Sequence, residues 1–183
     1  MSETAERYRK VAGRFTRLAR AVPEGAWDNP APCEGWLARD VVRHLVDWMP
    51  GLFLGRVGVE LPRVPSPDED PVGAWEAVSD AIQAALDAPD VAARQVDLPM
   101  GRMPVEQAID QLCIGDVLVH TWDLARATGL DESLDADEVH RLVVGMEPYD
   151  ELLRTSGHYG PRVDVPADAD EQTRLIAFTG RQP

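Results

Sequence analysis

The chain has 183 residues, 44% of them hydrophobic and 27% charged, with 32 acidic against 18 basic side chains and a formal net charge of −14. That length suffices for one sizeable core, so a single domain over 1–183 is expected, and the acidic excess excludes a nucleic-acid binder, whose affinity needs a basic surface that releases counterions. No apolar run approaches the roughly 18 residues of a membrane span, and the first twenty residues carry charge at nearly every turn, so neither a membrane segment nor an export signal is expected.

Apolar residues at Tyr8, Val11, Ala12, Phe15, Leu18 and Ala19 recur at three and four, which predicts an amphipathic helix from Glu3 to about Ala21. Val22 to Gly35, rich in proline and glycine, reads as a loop, and the helical period resumes from Leu37 to about Leu54. Pro62, Pro65 and Pro67 with the acidic PDED cluster then impose a long exposed connection. Val72 to about Ala88 forms a third helix, preceded by Pro71 at a good first position and stopped by Pro89 and Asp90. The segment VDLPMGRMPVE suggests a small hairpin around Met100 and Gly101, and Pro104 opens a fourth helix that runs to about Thr128 and stops at Gly129. Ala136 to about Thr155 gives a fifth helix that Pro148 kinks, and PADADEQTRLIAFTG closes the chain with a short capped helix. Four main helices with few strands predict an all-α fold, a helical bundle.

Two of these helices carry the same polar pattern. DVVRHLVD at 40–47 and DVLVHTWD at 116–123 both read D-V-x-x-H-x-x-D, and residues three and four apart are neighbours on a helix surface. Each helix therefore offers one compact polar patch. His44 projects onto a stripe with Leu37, Val41, Trp48 and Leu52, expected to be buried; on the fourth helix the stripe Val105, Ile109, Leu112 passes into Asp116, His120 and Asp123. Carboxylates and imidazoles placed on two core-facing stripes need something between them that satisfies both, and a divalent cation does so. Two imidazoles and a carboxylate suit zinc, with nickel, iron, manganese or cobalt as alternatives, and three protein ligands leave a fourth position open for chemistry. His44, His120 and Asp116 are the expected ligands. Asp40, Asp47 and Asp123 compete for the third place, although Asp40 more ordinarily serves a helix start, Asp47 could pair with Arg43, and Asp123 could pair with Arg126 or orient a metal-bound histidine.

The strings PCEGWLARDVVRHLVDW, GDVLVHTWDLARATG and VDVPADADEQTRLIAFTGRQP resemble the actinobacterial metal-binding proteins related to the N-terminal domain of mycothiol-dependent maleylpyruvate isomerase, within the DinB/YfiT-like superfamily. The resemblance implies a four-helix bundle of up-down-down-up path with a long crossover. It implies a metal held by His44, His120 and the residue at 116, where this chain has aspartate and the isomerase has glutamate, one methylene longer. It further implies a low-molecular-weight thiol such as mycothiol as cosubstrate, ionised by the metal so that its thiolate attacks a small electrophile. The isomerase carries a second, C-terminal domain for which a chain ending at Pro183 has no room, so a different thiol-dependent S-transfer or isomerisation is expected rather than isomerisation of maleylpyruvate. A non-catalytic metal-binding stress or regulatory protein and a metal-dependent hydrolase are the rival expectations.

Trp36, Trp48, Trp75 and Trp122 are expected mainly in the core, and His140 and His158 on the surface, His158 having a lesser prospect as a lid over the metal. Of the two cysteines, Cys33 reads as a packed thiol and Cys113, three residues before Asp116, as the one placed to approach the site. Neither makes a C-x-x-C pair or a disulfide framework, which fits a reducing cytoplasm. A monomer or homodimer is expected.

Overall fold

Ser2 opens the first helix by accepting the Ala5 amide proton on its hydroxyl, and Glu3 and Glu6 complement the positive end of the helix dipole. A computed structural model, which describes residues 2–155 and 159–183, places this helix, α1, over Glu3–Ala21 and buries Ala5, Tyr8, Val11, Ala12, Phe15, Leu18 and Ala19 along one face. Helix α2 spans Ala38–Phe53 and starts where the Leu37 amide donates to the Asp40 carboxylate at 2.8 Å. Helix α3 spans Pro71–Asp87, with Pro71 in the first turn and the Gly73 amide donating to Asp70 at 2.8 Å. Pro89 ends α3 as expected and also starts a further turn, Pro89–Ala92, since a first helical residue needs no amide hydrogen. The expected hairpin is present: β1 (Gln95–Leu98) and β2 (Gly101–Pro104) pair antiparallel, Gln95 opposite Pro104 and Leu98 opposite Gly101.

The fourth rod departs from a uniform helix. Val105–Ala108 passes into a π-helical turn, Ile109–Cys113, before α4, Ile114–Thr128, ends at Gly129 with φ 70°. A π-turn closes i→i+5 hydrogen bonds and so accommodates an extra residue, which rotates every later side chain about the axis. The most deeply buried positions here are Ile109, Cys113, Ile114 and Val117, while Leu112 and Asp116 lie at the edge of the core, partly buried.

Both α1 and α2 pack against α3 and against α4, which makes the four helices a bundle around one core. Trp75 on α3 lies fully buried with its ring 4.5 Å from that of Phe15, and its indole N–H donates to Thr16 Oγ1 at 2.8 Å, so the polar tip costs nothing in lost hydrogen bonding. Among the described residues no helix is long and apolar enough to cross a membrane.

After α4 come α5 (Ala136–Met146), a 3-10 turn at Glu147–Tyr149 that holds Pro148, and α6 (Asp150–Thr155), so the expected fifth helix breaks at its proline. The last helix, α7 (Glu171–Phe178), is capped by Asp170 and packs chiefly on α5. Gln172 ties it down, accepting the Leu134 amide at 2.8 Å and donating to the Glu132 carbonyl at 3.0 Å. Beyond α7 the chain turns at Gly180, whose φ of +87° and approach to Gly160 leave no room for a side chain: a Cβ there would lie 2.8 Å from Gly160 Cα. Gly180→Ala should therefore lower stability by about 1–2 kcal/mol or more from the left-handed backbone alone, read as a fall in the chemical denaturation midpoint; an unchanged midpoint would show that the turn is not constrained.

Candidate metal centre

His44 sits in the middle of α2, and Asp116 and His120 lie one turn apart near the start of α4, the two helices being in contact. The Asp116 carboxylate lies between the two imidazoles. Its Oδ2 is 3.2 Å from His44 Nε2 and its Oδ1 is 3.5 Å from His120 Nε2. One ligand atom from each of the three residues falls within 4.8 Å of the other two, a separation that one cation can span.

What holds the trio lies behind it. His120 Nδ1 is 2.8 Å from Asp123 Oδ2, one turn further along α4, and Asp123 has no exposed side-chain surface. Arg181, beyond α7, closes on the same carboxylate with a two-pronged contact, Nε to Oδ1 at 2.6 Å and Nη2 to Oδ2 at 2.7 Å. Cys33 completes the group: Arg181 Nη2 donates to its sulfur at 3.3 Å, and the thiol faces Asp123 Oδ2 at 3.6 Å. With Asp123 accepting from Nδ1–H, the His120 Nε2 edge is the one turned toward Asp116 and His44.

Trp36 covers both imidazoles. Its ring stacks on His120 at 5.8 Å between centroids with 14° between planes, and lies 5.2 Å from His44. Trp48, one turn after His44, stands 6.2 Å from it. The side chains of His44 and Asp116 keep 35% and 27% of their surface exposed, while His120 keeps only 6%. Solvent or a small ligand thus reaches the trio from the His44 and Asp116 side.

The electrostatics follow from this enclosure. Burial alone would raise the Asp116 pKa, but the facing imidazoles of His120 and His44 outweigh it and hold the carboxyl below its ordinary range. For His120, burial works against the charged form, yet Asp116 first and Asp123 second push its pKa up to about 9. Asp123 is likewise held low against its own burial, by His120 and Arg181. Burial foremost, with help from the Asp123 carboxylate, drives the Cys33 thiol up to about 12, so in the metal-free protein it keeps its proton. Cys33, His120 and Asp123 also lie within ligand distance of one another. Both Asp123 oxygens are already engaged by Arg181 and His120, so that second group is a closed hydrogen-bonded network, whereas the first presents open donor atoms.

Several expectations need correction. His44 is half-exposed and not in the core stripe, which is Ala38, Val41, Val42, Leu45, Val46 and Met49. It lies on the neighbouring flank with Leu37, Trp48 and Leu52, one residue out of phase, and periodicity cannot say which of two adjacent apolar stripes is the deeper. Asp47 is exposed, and Arg43 turns instead to Asp40 and Asp68. Asp40 serves the start of α2, as its position suggests. Arg126 pairs with Glu132 at 2.7 Å, leaving Asp123 to His120 and Arg181. Cys113 is sealed in the core by the π-turn, and Cys33 is the cysteine at the site. Trp75 and Trp122 are core residues, but Trp36 and Trp48 are partly exposed site residues. His140 is exposed, 3.0 Å from Glu171, and His158 lies outside the described residues. Arg181, a lone cation after the last helix, lies inside the tail string that shares in the resemblance, but the sequence assigns it no role.

The comparisons bear on the segment that carries His44. Residues 8–52 match the family model of the mycothiol maleylpyruvate isomerase N-terminal domain. That match agrees with the resemblance carried by the G-W-x-x-x-D-x-x-x-H string, from Gly35 to His44, which supplies α2 and the indole over the imidazoles. Two uncharacterized proteins of Mycobacterium tuberculosis, from strains CDC 1551 / Oshkosh and ATCC 25618 / H37Rv, are each 27% identical to this chain over 176 residues, covering 95% of both chains. No solved structure gives a significant match.

Two outcomes follow for the metal-free protein. Asp123→Asn strands the Arg181 guanidinium beside a neutral group and should cost roughly 3 kcal/mol, the usual penalty for breaking a buried pair, whereas Asp47→Asn on the exposed surface should change stability by less than about 0.5 kcal/mol. His120, raised in the folded state, contributes stability that is complete below its unfolded pKa of about 6.5 and is lost as pH rises through about 9. Asp116 and Asp123, both held low, contribute above about pH 4 and lose that contribution in acid. Urea midpoints measured across pH should thus be highest between about pH 4 and 6.5 as far as this cluster is concerned. An alkaline decline undiminished in His120→Gln would contradict the assignment.

Proposed function

We propose that His44, Asp116 and His120 hold one divalent metal ion, zinc by preference, and that the protein uses it to ionise a small thiol that attacks a small electrophile, in an S-transfer or isomerisation. The observation that carries this reading is the carboxylate seated between two imidazole Nε2 edges, at 3.2 and 3.5 Å, with the deeper imidazole anchored from behind through Nδ1. A buried histidine backed by a carboxylate is the arrangement in which zinc-binding imidazoles are ordinarily held. The donor set, two nitrogens and one oxygen with a solvent-facing side, is that of a catalytic and not a closed structural site. Mycothiol enters as the thiol through the description of the family matched by residues 8–52.

Bound at this trio, a divalent cation would supply the charge that lets a coordinating thiol ionise near neutral pH. The chain's own residues do the rest. His44 and Asp116 border the accessible side and so face the incoming thiol, while Trp36 caps the two imidazoles and sheds water from their faces. Asp123 keeps the His120 Nδ1 proton in place, and Cys33, held protonated by its burial, stays a thiol beside it. A hydrolytic reading is disfavoured because the nearest carboxylates are committed to other roles: Asp123 to Arg181 and His120, and Asp116, in this reading, to the metal itself.

Zinc titration of the metal-free protein should show about one equivalent bound, the stoichiometry of a single three-ligand site, and His44→Ala or His120→Ala should abolish tight binding. Because zinc must displace the His120 proton, apparent affinity should climb about tenfold per pH unit until pH reaches about 9. Wild-type protein that takes up no zinc, or affinity flat with pH, would refute the ligand set. Turnover of an electrophile by the loaded protein with mycothiol supports thiol transfer; thiol-independent hydrolysis would replace it with hydrolase activity, and absence of any turnover with a non-catalytic metal-binding role.

A further inference from the structure

We propose that the docked C-terminal segment is a working part of the metal site, with Arg181 positioning His120 for coordination by clamping the Asp123 carboxylate, so that metal affinity and docking of α7 are coupled. This rests on the reading of His44, Asp116 and His120 as ligands. Arg181 contacts none of the three, and acts only through Asp123.

The geometry is specific. A carboxylate held at one oxygen can turn about its own bond, but Arg181 grips both, at 2.6 and 2.7 Å, and so fixes the carboxylate plane. The Oδ2 atom gripped in this way is the one that meets His120 Nδ1 at 2.8 Å. Asp123 is fully buried and Arg181 keeps only 12% of its side chain exposed, so bulk water cannot take over the role of the guanidinium. Without it, Trp36 still sets the ring plane and Asp116 still faces Nε2, but the carboxylate that meets Nδ1 is free to turn, and the direction of Nδ1 is no longer fixed from behind.

Arg181 is in turn delivered by the tail. Helix α7 packs chiefly on α5, and the turn after it is set by the backbone contact of Gly180 with Gly160. The Arg181–Asp123 pair is thus a direct tie from the end of α7 to α4, spanning 58 residues of sequence. Two events that favour one geometry of the same carboxylate assist each other, and the assistance is reciprocal: the docked tail tightens the metal site, and a bound metal secures the tail.

Zinc titration of wild type, Arg181→Ala and Arg181→Lys tests this, together with two readouts that a purely structural anchor would not move. One is the NMR signal of the His120 Nδ1 proton in zinc-loaded protein; the other is amide hydrogen exchange through α7 with and without zinc. Arg181→Ala should bind zinc about 10–100-fold more weakly, as is usual when the group behind a metal-bound histidine is lost, with Arg181→Lys in between. The Nδ1 proton, slow to exchange in wild type, should vanish into solvent exchange in Arg181→Ala. Zinc should slow exchange in α7 of wild type and leave that of Arg181→Ala unchanged. If Arg181→Ala does not fold, the Lys variant decides, since it keeps the charge and loses the two-pronged grip. Equal zinc affinity and a retained Nδ1 signal in the variants would overturn the coupling alone. Wild-type protein that binds no zinc would overturn the ligand reading and the coupling with it.

Discussion

A carboxylate with no exposed surface keeps its charge only if the protein supplies what water would have supplied, and Asp123 is in that position. The protein answers with two partners from distant parts of the chain, the His120 imidazole one turn earlier on α4 and the Arg181 guanidinium beyond α7. Removing either would leave a buried charge uncompensated, so the two contacts depend on each other as well as on Asp123. Much of the surrounding structure follows. The last helix must dock for Arg181 to reach α4, Gly180 must be glycine for the turn that aims it, and Cys33 is held beside the pair as a protonated thiol.

The same constraint divides the two polar patches by depth. On α4, Asp123 and His120 are sealed in, and Asp116 reaches toward the solvent-facing side. On α2, His44 sits on the flank of the apolar face, next to Trp36 and Trp48, and meets Asp116 from the open side. The cluster therefore has a rigid back and an accessible front. This is the division expected of a site that must hold a cation in a fixed geometry and still admit a ligand to it. The π-helical turn one turn ahead of Asp116 contributes to the arrangement, because it sets the rotation at which the α4 side chains meet α2.

Charge across the molecule is consistent with a small, solvated protein whose cationic groups are mostly committed. The 18 basic residues face 32 acidic ones, and the arginines at the bundle seams close onto carboxylates, as Arg7 does with Glu138 and Asp110 between α1, α5 and the π-turn. Arg181 differs from these in touching the carboxylate that is a histidine's partner.

The all-α fold was legible in the chain because it depends on local patterns. The three-and-four spacing of Tyr8, Val11, Phe15 and Leu18, the prolines at 71 and 148 and the glycine at 129 act over a single turn, and each acts as expected. The repeated D-V-x-x-H-x-x-D string likewise points to His44 and His120 and leaves Asp116 in competition with Asp40, Asp47 and Asp123; the tertiary structure brings His44, Asp116 and His120 within 4.8 Å of one another. Tertiary structure alone decided the depth and the partners. Two adjacent stripes on α2 are both apolar, and only packing against α3 and α4 shows that His44 flanks the core and does not enter it. A π-turn carries no periodic signature, so the placement of Cys113 in the core and of Asp116 at its edge could not be read from the spacing. Cys33 and Arg181 lie in a loop and a tail, where spacing says nothing about proximity. Their meeting at Asp123, 90 and 58 residues away, is a consequence of long-range packing and of the need to neutralise one buried charge.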